Sequence, residues 1–448
     1  MKIKPRTLLL ALTFLFLFSG SVFGDDFQDG FDAYKRNDYK EAFKLFRLSA
    51  VKGNESAQFN LGLMYYEGQG VPQDYKEALK LFRLSAKQGD ADAQYNVGLM
   101  YYEGQGVPQD YKKALKWYRL SVEQGDAQAQ SNLGYMYYKG QVVAQDYKEA
   151  VKWWKLAAEQ GDASAQNNLG GMYDQGQGLP QDYKKALKLY RLAGEQRYAG
   201  AQLNLGILYF EGQGVPQDYK EAVKWWKLAA EQGDAQAQSN LGWMYYEGKG
   251  VPQDYKEAVR LVRLSAEQGD GGGQSNLGEM YSKGQGVPQD LEAALKWWKL
   301  AAEQGSADAQ SDLGVMYQSG IGVPQDYKEA LKWNKLAGEQ GKIKAQYNLG
   351  VMYAEGQGVT KDSKEANKWY RFAAEQGNTK AQTNLGISYL VGQGVPQDFK
   401  EAVKWFRLAA EQGDAFAQFK LGGMYLMGKG VPQDSEAARK WMKLSTDQ

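Results

Sequence analysis

The sequence predicts an all-α fold, a right-handed α-solenoid superhelix of about twelve helix-turn-helix repeats. Three observations carry that expectation. The dipeptide Leu-Gly, once Val-Gly, falls at 61, 97, 133, 169, 205, 241, 277, 313, 349, 385 and 421, so a period of 36 runs without insertion or deletion. Self-similarity at such a period marks supersecondary units that bury their apolar faces by stacking. Between recurrences, apolar residues return twice at helical spacing, and each run is bracketed by residues that start and stop helices.

Residues 1–24 stand apart from the array. Lys2, Lys4 and Arg6 precede an apolar run from Leu8 to Phe18 and then the small residues of SGSVFG, the pattern of a secretory signal peptide. The run is shorter than the roughly 20 residues a bilayer requires. No later stretch is apolar enough to anchor the chain, so no integral membrane segment is expected in the mature protein. Export is expected, to the periplasm in the first instance, with secretion or surface display as the alternative. The chain has no cysteine, so in an oxidising compartment its core alone must hold the fold, as a long array can.

The first unit, FQDGFDAYKRNDYKEAFKLFRLSA, has a turn four residues shorter than the others and reads as an N-terminal cap over 25–52. Residues 53–448 form the array proper, ending in a capping helix. The copy AQYNVGLMYYEGQGVPQDYKKALKWYRLSVEQGD, 93–126, serves as the type. Asp90 caps its first helix, along which Ala93, Val97, Met100 and Tyr101 form the apolar face. Gly104 supplies a left-handed stop. Val107 and Pro108 stiffen the turn, Asp110 caps the second helix, and Ala114, Leu115, Trp117, Tyr118 and Val122 form its broad apolar face. Gly125 ends the unit and Asp126 begins the next.

The glycine-rich GQGVPQD, at 68, 104, 212, 284 and 392, is a turn and no phosphate cradle, because no Lys-Ser or Lys-Thr pair closes it as a phosphate loop needs. Gly98 lies within the first helix, at a propensity cost of about 1 kcal/mol, and it recurs in all eleven copies. It is expected to let the second helix approach. The tyrosine at 65, 101, 137 and each later equivalent is expected in the core. Lys76, Lys80 and Arg83 exemplify a solvated basic stripe, with acids such as Glu123 and Glu159 four residues beyond the last basic position. Gly271, Gly272 and Gly273 suggest a hinge or frayed turn, and Arg197-Tyr198 in place of Gly-Asp suggests a second helix that ends differently. Arg439 stands where other copies have Leu or Val, as a solvent-facing end requires.

The pattern A-x-x-N-L-G-x-x-Y, G-x-G-V-x-x-D-x-x-K/E-A, W-x-x-x-A-A-x-x-G resembles the Sel1-like repeat, a relative of the tetratricopeptide repeat with a longer loop inside the repeat, over about residues 27–446. The resemblance implies a scaffold that binds proteins or peptides on its concave face and terminal repeats. Exported bacterial members are associated with envelope regulation, assembly of surface machinery and host interaction, including immunoglobulin recognition. Carried over by register, the groove positions hold Phe59, Tyr66, Tyr95, Tyr102, Tyr135, Tyr138, Phe210, Trp243 and Tyr246. They become small or polar at Gly171, Asp174, Glu279 and Ser282. Aromatic residues of this kind either anchor a partner or stack on neighbouring helices. Near the C-terminus Ile387, Leu390, Val391, Phe416, Phe419, Leu426 and Met427 turn the same register apolar. They are either a docking patch or side chains packed on one another.

Composition narrows the chemistry. With 54 Lys+Arg against 53 Asp+Glu, and 51 against 53 once Lys2, Lys4 and Arg6 are removed, nothing favours nucleic acid. Zero His and zero Cys remove the Ser-His-Asp triad, the cysteine nucleophile and the ordinary zinc site. No cofactor, metal or catalytic residue is expected. Relatives linked to β-lactam hydrolysis depend on cysteines absent here, which leaves that activity a remote alternative. Export itself is directly testable. N-terminal sequencing of the protein from the periplasm or medium should begin at Asp25, and a cytoplasmic product still beginning at Met1 would refute the reading.

Overall fold

A computed structural model describes residues 24–446, so the signal-peptide expectation, residues 1–24, lies essentially outside the described residues. Among them are 24 helices, numbered in chain order from α1 (Gly24–Lys35) to α24 (Ser435–Thr446). They pair into twelve helix-turn-helix repeats, an all-α solenoid. The chain divides into two compact units, Met1–Gln196 and Arg197–Gln448.

In the first unit the type repeat shows how local chemistry sets the helices. α5 (Ala91–Glu103) is capped by the Asp90 carboxylate, which accepts from the Ala93 N–H at 2.6 Å, and it stops at Gly104 with φ 75°. α6 (Tyr111–Glu123) is capped by Asp110, which accepts from Lys113 N–H at 3.0 Å. Gly125 follows with φ 88°. Both caps use a short acid to satisfy helix-end donors, and both stops use the freedom of glycine in the left-handed region. The turn leading into α2 (Tyr39–Val51) is shorter, running only from Arg36 to Asp38.

Packing explains the helical glycine. A Cβ built on Gly98 would lie 2.7 Å from the Tyr118 ring, and on Gly62 or Gly134 it would lie 2.8 Å from the rings of Phe82 or Trp154. Tyr118, Phe82 and Trp154 are essentially fully buried, so the second helix rests a buried ring in the notch on the first. Val97, Met100, Leu115 and Leu133 close the core around Tyr118. Buried glutamines link the layers: Gln124 donates to Gln94 at 2.9 Å, and Gln94 donates to the Ala86 carbonyl of the preceding repeat at 3.2 Å. An unmade bond at such a site costs about 1–3 kcal/mol.

The second unit repeats the plan. Gly206, Gly278, Gly350 and Gly386 face Trp226, Trp298, Tyr370 and Phe406. Here α13 (Ala235–Glu247), α15 (Gly271–Lys283), α17 (Ala307–Ser319), α19 (Ile343–Glu355) and α21 (Thr379–Val391) lie side by side as the row of first helices.

Four expectations need correction. The repeated tyrosine is buried at 101 and 209, but at 65, 137, 281 and 425 it sits half-exposed at the core's edge. In several copies its hydroxyl meets an arginine: Arg263 donates to Tyr281 at 2.8 Å and Arg407 to Tyr425 at 2.6 Å, so the last basic residue of the stripe is a packing partner. The stripe's ion pairs join Glu77 to Lys80 and Glu149 to Lys152, each at 3.1 Å and three residues apart, because the glutamate of the first turn points up the helix toward the lysine. Gly271–Gly273 form an ordinary capped turn, with Gly273 N–H donating to Asp270 at 2.6 Å, and they are no frayed segment. α10 (Tyr183–Glu195) ends in register with the other second helices, since Arg197 adopts the glycine conformation at φ 65°. Arg439 is exposed, as expected of an uncovered end.

Two substitutions test this packing. Gly98→Ala should lower stability by about 1–3 kcal/mol, since the Tyr118 ring has nowhere to yield. Val142 occupies the left-handed region at φ 68°, where other repeats place glycine, a strained arrangement for a β-branched residue. Val142→Gly should therefore raise stability by about 1 kcal/mol. Denaturant midpoints of the two variants read both effects.

Candidate functional site

The predicted groove residues fall mostly where register placed them, half-buried on the first helices, and most stack on the second helix of their own repeat. Phe59 lies 5.7 Å from Phe82, Tyr95 5.9 Å from Tyr118, Tyr138 5.6 Å from Trp154, and Phe210 5.6 Å from Trp226. Tyr66 and Tyr102 pack against Tyr75 and Tyr111 at 5.2 and 5.1 Å. Burial pushes the Tyr66 hydroxyl up to about 12, so it stays neutral. Tyr135 is half-buried beneath the Lys139 ammonium. These rings are walls held by the scaffold, and each shows one edge to solvent.

Tyr246 is a correction. It is only 6% exposed, stacked at 4.9 Å on Trp243, and its hydroxyl accepts from Lys283 at 3.1 Å. It is a core residue that orients Trp243, with no face left for a partner.

Within the second unit the row of first helices opens into a cleft of about 1050 Å³. Trp243 and Phe210 line one side, Val315 and Ile321 the other, and α15 forms the floor. The floor is low because Ser275, Ser282 and Gly272 replace Tyr95, Tyr102 and Asp92 of the type repeat, while Glu279 brings a charge. The positions of Glu279 and Ser282 hold Leu99 and Tyr102 in the type repeat, 180 residues earlier in register. Ser239 adds a further small side chain at the position of Phe59.

The polar lining is held in place. Lys283 bridges to Glu279 at 2.5 Å, and that carboxylate raises the Lys283 ammonium well above the usual lysine range. Lys344 reaches Asp312 at 3.4 Å, and Lys342 reaches Asp308 at 2.6 Å. Burial pushes the Asp312 carboxyl up, and the Lys344 charge opposes that shift. The lysines of these pairs are largely exposed, so each pair contributes only about 0–1 kcal/mol.

Sequence reasoning flagged Glu279 and Ser282 but missed Ser239, Gly272, Asp312 and Lys344. A signal existed for Asp312: it is an acid in the Asn-Leu-Gly motif, where all other copies but the last have Asn. Of the C-terminal set, Val391 is 57% and Met427 58% exposed, and Phe416, Phe419 and Leu426 are also open to solvent. Ile387 and Leu390 are half-buried against the core around Phe406. Asp174, at the other polar copy, accepts from the Tyr190 hydroxyl at 3.3 Å.

The Sel1 repeat family model matches twelve successive segments, from 27–54 through 55–90 and onward to 415–448. The chain belongs to the Sel1 repeat family. Sel1 repeat proteins mediate protein–protein interactions. Among solved structures, c5321, a protective antigen present in uropathogenic Escherichia coli strains displaying an SLR fold, is 38% identical, with TM-score 0.72 over 90% of this chain and 89% of that one. A Sel1 repeat protein from Oxalobacter formigenes is 39% identical over 66% of this chain and 86% of its own, with TM-score 0.47. Comparison with curated proteins gives no match.

Among the described residues no helix is long and apolar enough to cross a membrane, and no group of three or more acids could hold a metal ion. The carboxylates are spent instead on caps and single ion pairs. Prolonged dialysis against a chelator should accordingly leave the melting temperature unchanged, and a rise on adding back a divalent cation would contradict this.

Proposed function

We propose that this Sel1 repeat chain is a non-catalytic adaptor of the bacterial cell envelope that holds an extended segment of a partner protein in the cleft over α15. The cleft carries the reading. It is the place where the array departs from its own pattern by removing side chains, between aromatic and aliphatic walls that the scaffold keeps rigid. Clefts of this size with apolar walls and a few fixed polar groups are how peptide and small-molecule sites are built. Export through the N-terminal segment would place it in the periplasm, or at the surface as a host-interaction factor.

The test uses the chain's own usual residues. Ser275→Tyr with Ser282→Tyr restores the type pattern of Tyr95 and Tyr102 and fills the cleft without a foreign side chain. A displayed peptide library panned on the native chain should enrich sequences whose affinity falls at least about tenfold, or 1.4 kcal/mol, on the filled variant, with the melting temperature of the two proteins alike. Enriched sequences that bind both proteins equally, or an absence of enrichment, would refute the site.

A further inference from the structure

The two ends of the array carry surfaces that fit each other. Between neighbouring repeats, a first helix is covered by the first helix of the next repeat and by the second helix of the one before. On α13 the covered positions are Ser239 and Tyr246: Asn276 donates to Ser239 Oγ at 3.3 Å and Lys283 to Tyr246 at 3.1 Å. The same positions on α23 (Ala415–Met427) are Phe419 and Leu426. On α23 both side chains lie open, 54% and 47% exposed, with Met427 beside them.

α24 presents the second half of that uncovered face. In interior repeats Leu79 and Val403 are buried under the following helix. Arg439 holds their position and is exposed, and Lys443 holds that of Arg83.

The opposite end mirrors it in charge. A Cβ on Gly30 would lie 2.9 Å from Phe46, as one on Gly62 lies 2.8 Å from Phe82, which fixes the register of α1. Ala93, Val97 and Met100, fully buried against the preceding repeat, correspond to Asp25, Asp29 and Asp32. Asp29 is exposed and Asp32 half-exposed, its Oδ1 accepting from Gln28. Asp26 is set apart, because its bridge to Lys52 replaces the Gln58–Gln88 link of the next repeat.

We propose that α1 of one copy seats on α23 and α24 of another, in the place a thirteenth repeat would occupy. Phe419, Leu426 and Met427 supply apolar area, and Arg439 meets Asp29 and Asp32. Charge alone at either end would suffice for a soluble cap. Opposite charges at mutually facing positions, beside apolar side chains at the positions a next helix covers, commit the face to a second copy of this chain. The contact is heterologous, so copies add in one direction. Exposed ion pairs are worth only about 0–1 kcal/mol each, so association is weak and weakens with salt.

Sedimentation velocity on the full chain, expressed from Met1 and processed by its host, tests this. At about 0.05 M salt the average mass should climb with concentration, and at about 0.5 M salt it should fall toward the monomer. Arg439→Glu, and separately Asp29→Arg with Asp32→Arg, should each weaken association at least about tenfold. Combining all three substitutions should restore it, and helical content should be unchanged throughout. A chain that stays monomeric at low salt at every concentration, or reversals that neither weaken association alone nor restore it together, would overturn the proposal.

Discussion

The structure depends on one contact: a glycine backbone on the first helix of each repeat pressed against a side chain of the second, in most copies an aromatic ring. With about 2.7 Å between a would-be Cβ of Gly98 and the Tyr118 ring, the two helices are as close as main chain and ring permit. Everything else in the repeat serves that approach. The aspartate caps and left-handed glycines fix where each helix begins and ends, so that the notch and the side chain facing it meet at the same height along the array. The buried Gln94–Gln124 link and its bond to the Ala86 carbonyl then tie each closed pair to the one before.

Because the core is built from those few positions, the solvent-facing side of the first helices is free to vary without loss of fold. That separation is what a binding array needs. The copies use it unevenly. Over α5 and α7 (Ala127–Lys139) aromatic rings fill the groove, and over α15 serines, a glycine and a paired glutamate leave it open. The variation at α15 costs the scaffold little, since Gly278 still receives the Trp298 ring and Asp270 still caps the helix.

Charge follows the same division of labour. Pairs such as Glu77–Lys80 lie on the exposed stripe of the second helices, where they add a few tenths of a kcal/mol. Arginines at the last position of that stripe, such as Arg263, instead reach across to the tyrosine of the next repeat.

The sequence by itself determined the helix count, the caps, the glycine notch and the soluble end at Arg439, because these are local or strictly periodic, and eleven copies state each rule repeatedly. Only the tertiary structure decided which groove aromatics have a free face. Tyr246 and Tyr138 share one register position, yet Tyr246 is buried against Trp243 and Tyr138 is not. Their difference comes from a neighbour three residues away and from a lysine 37 residues on, and no single repeat contains both. The cleft over α15 was visible only as a loss of bulk at Ser282 beside a charge at Glu279. Its depth depends on Ser239, Gly272 and Val315 from three successive repeats, and a void is defined by what surrounds it rather than by any residue within it.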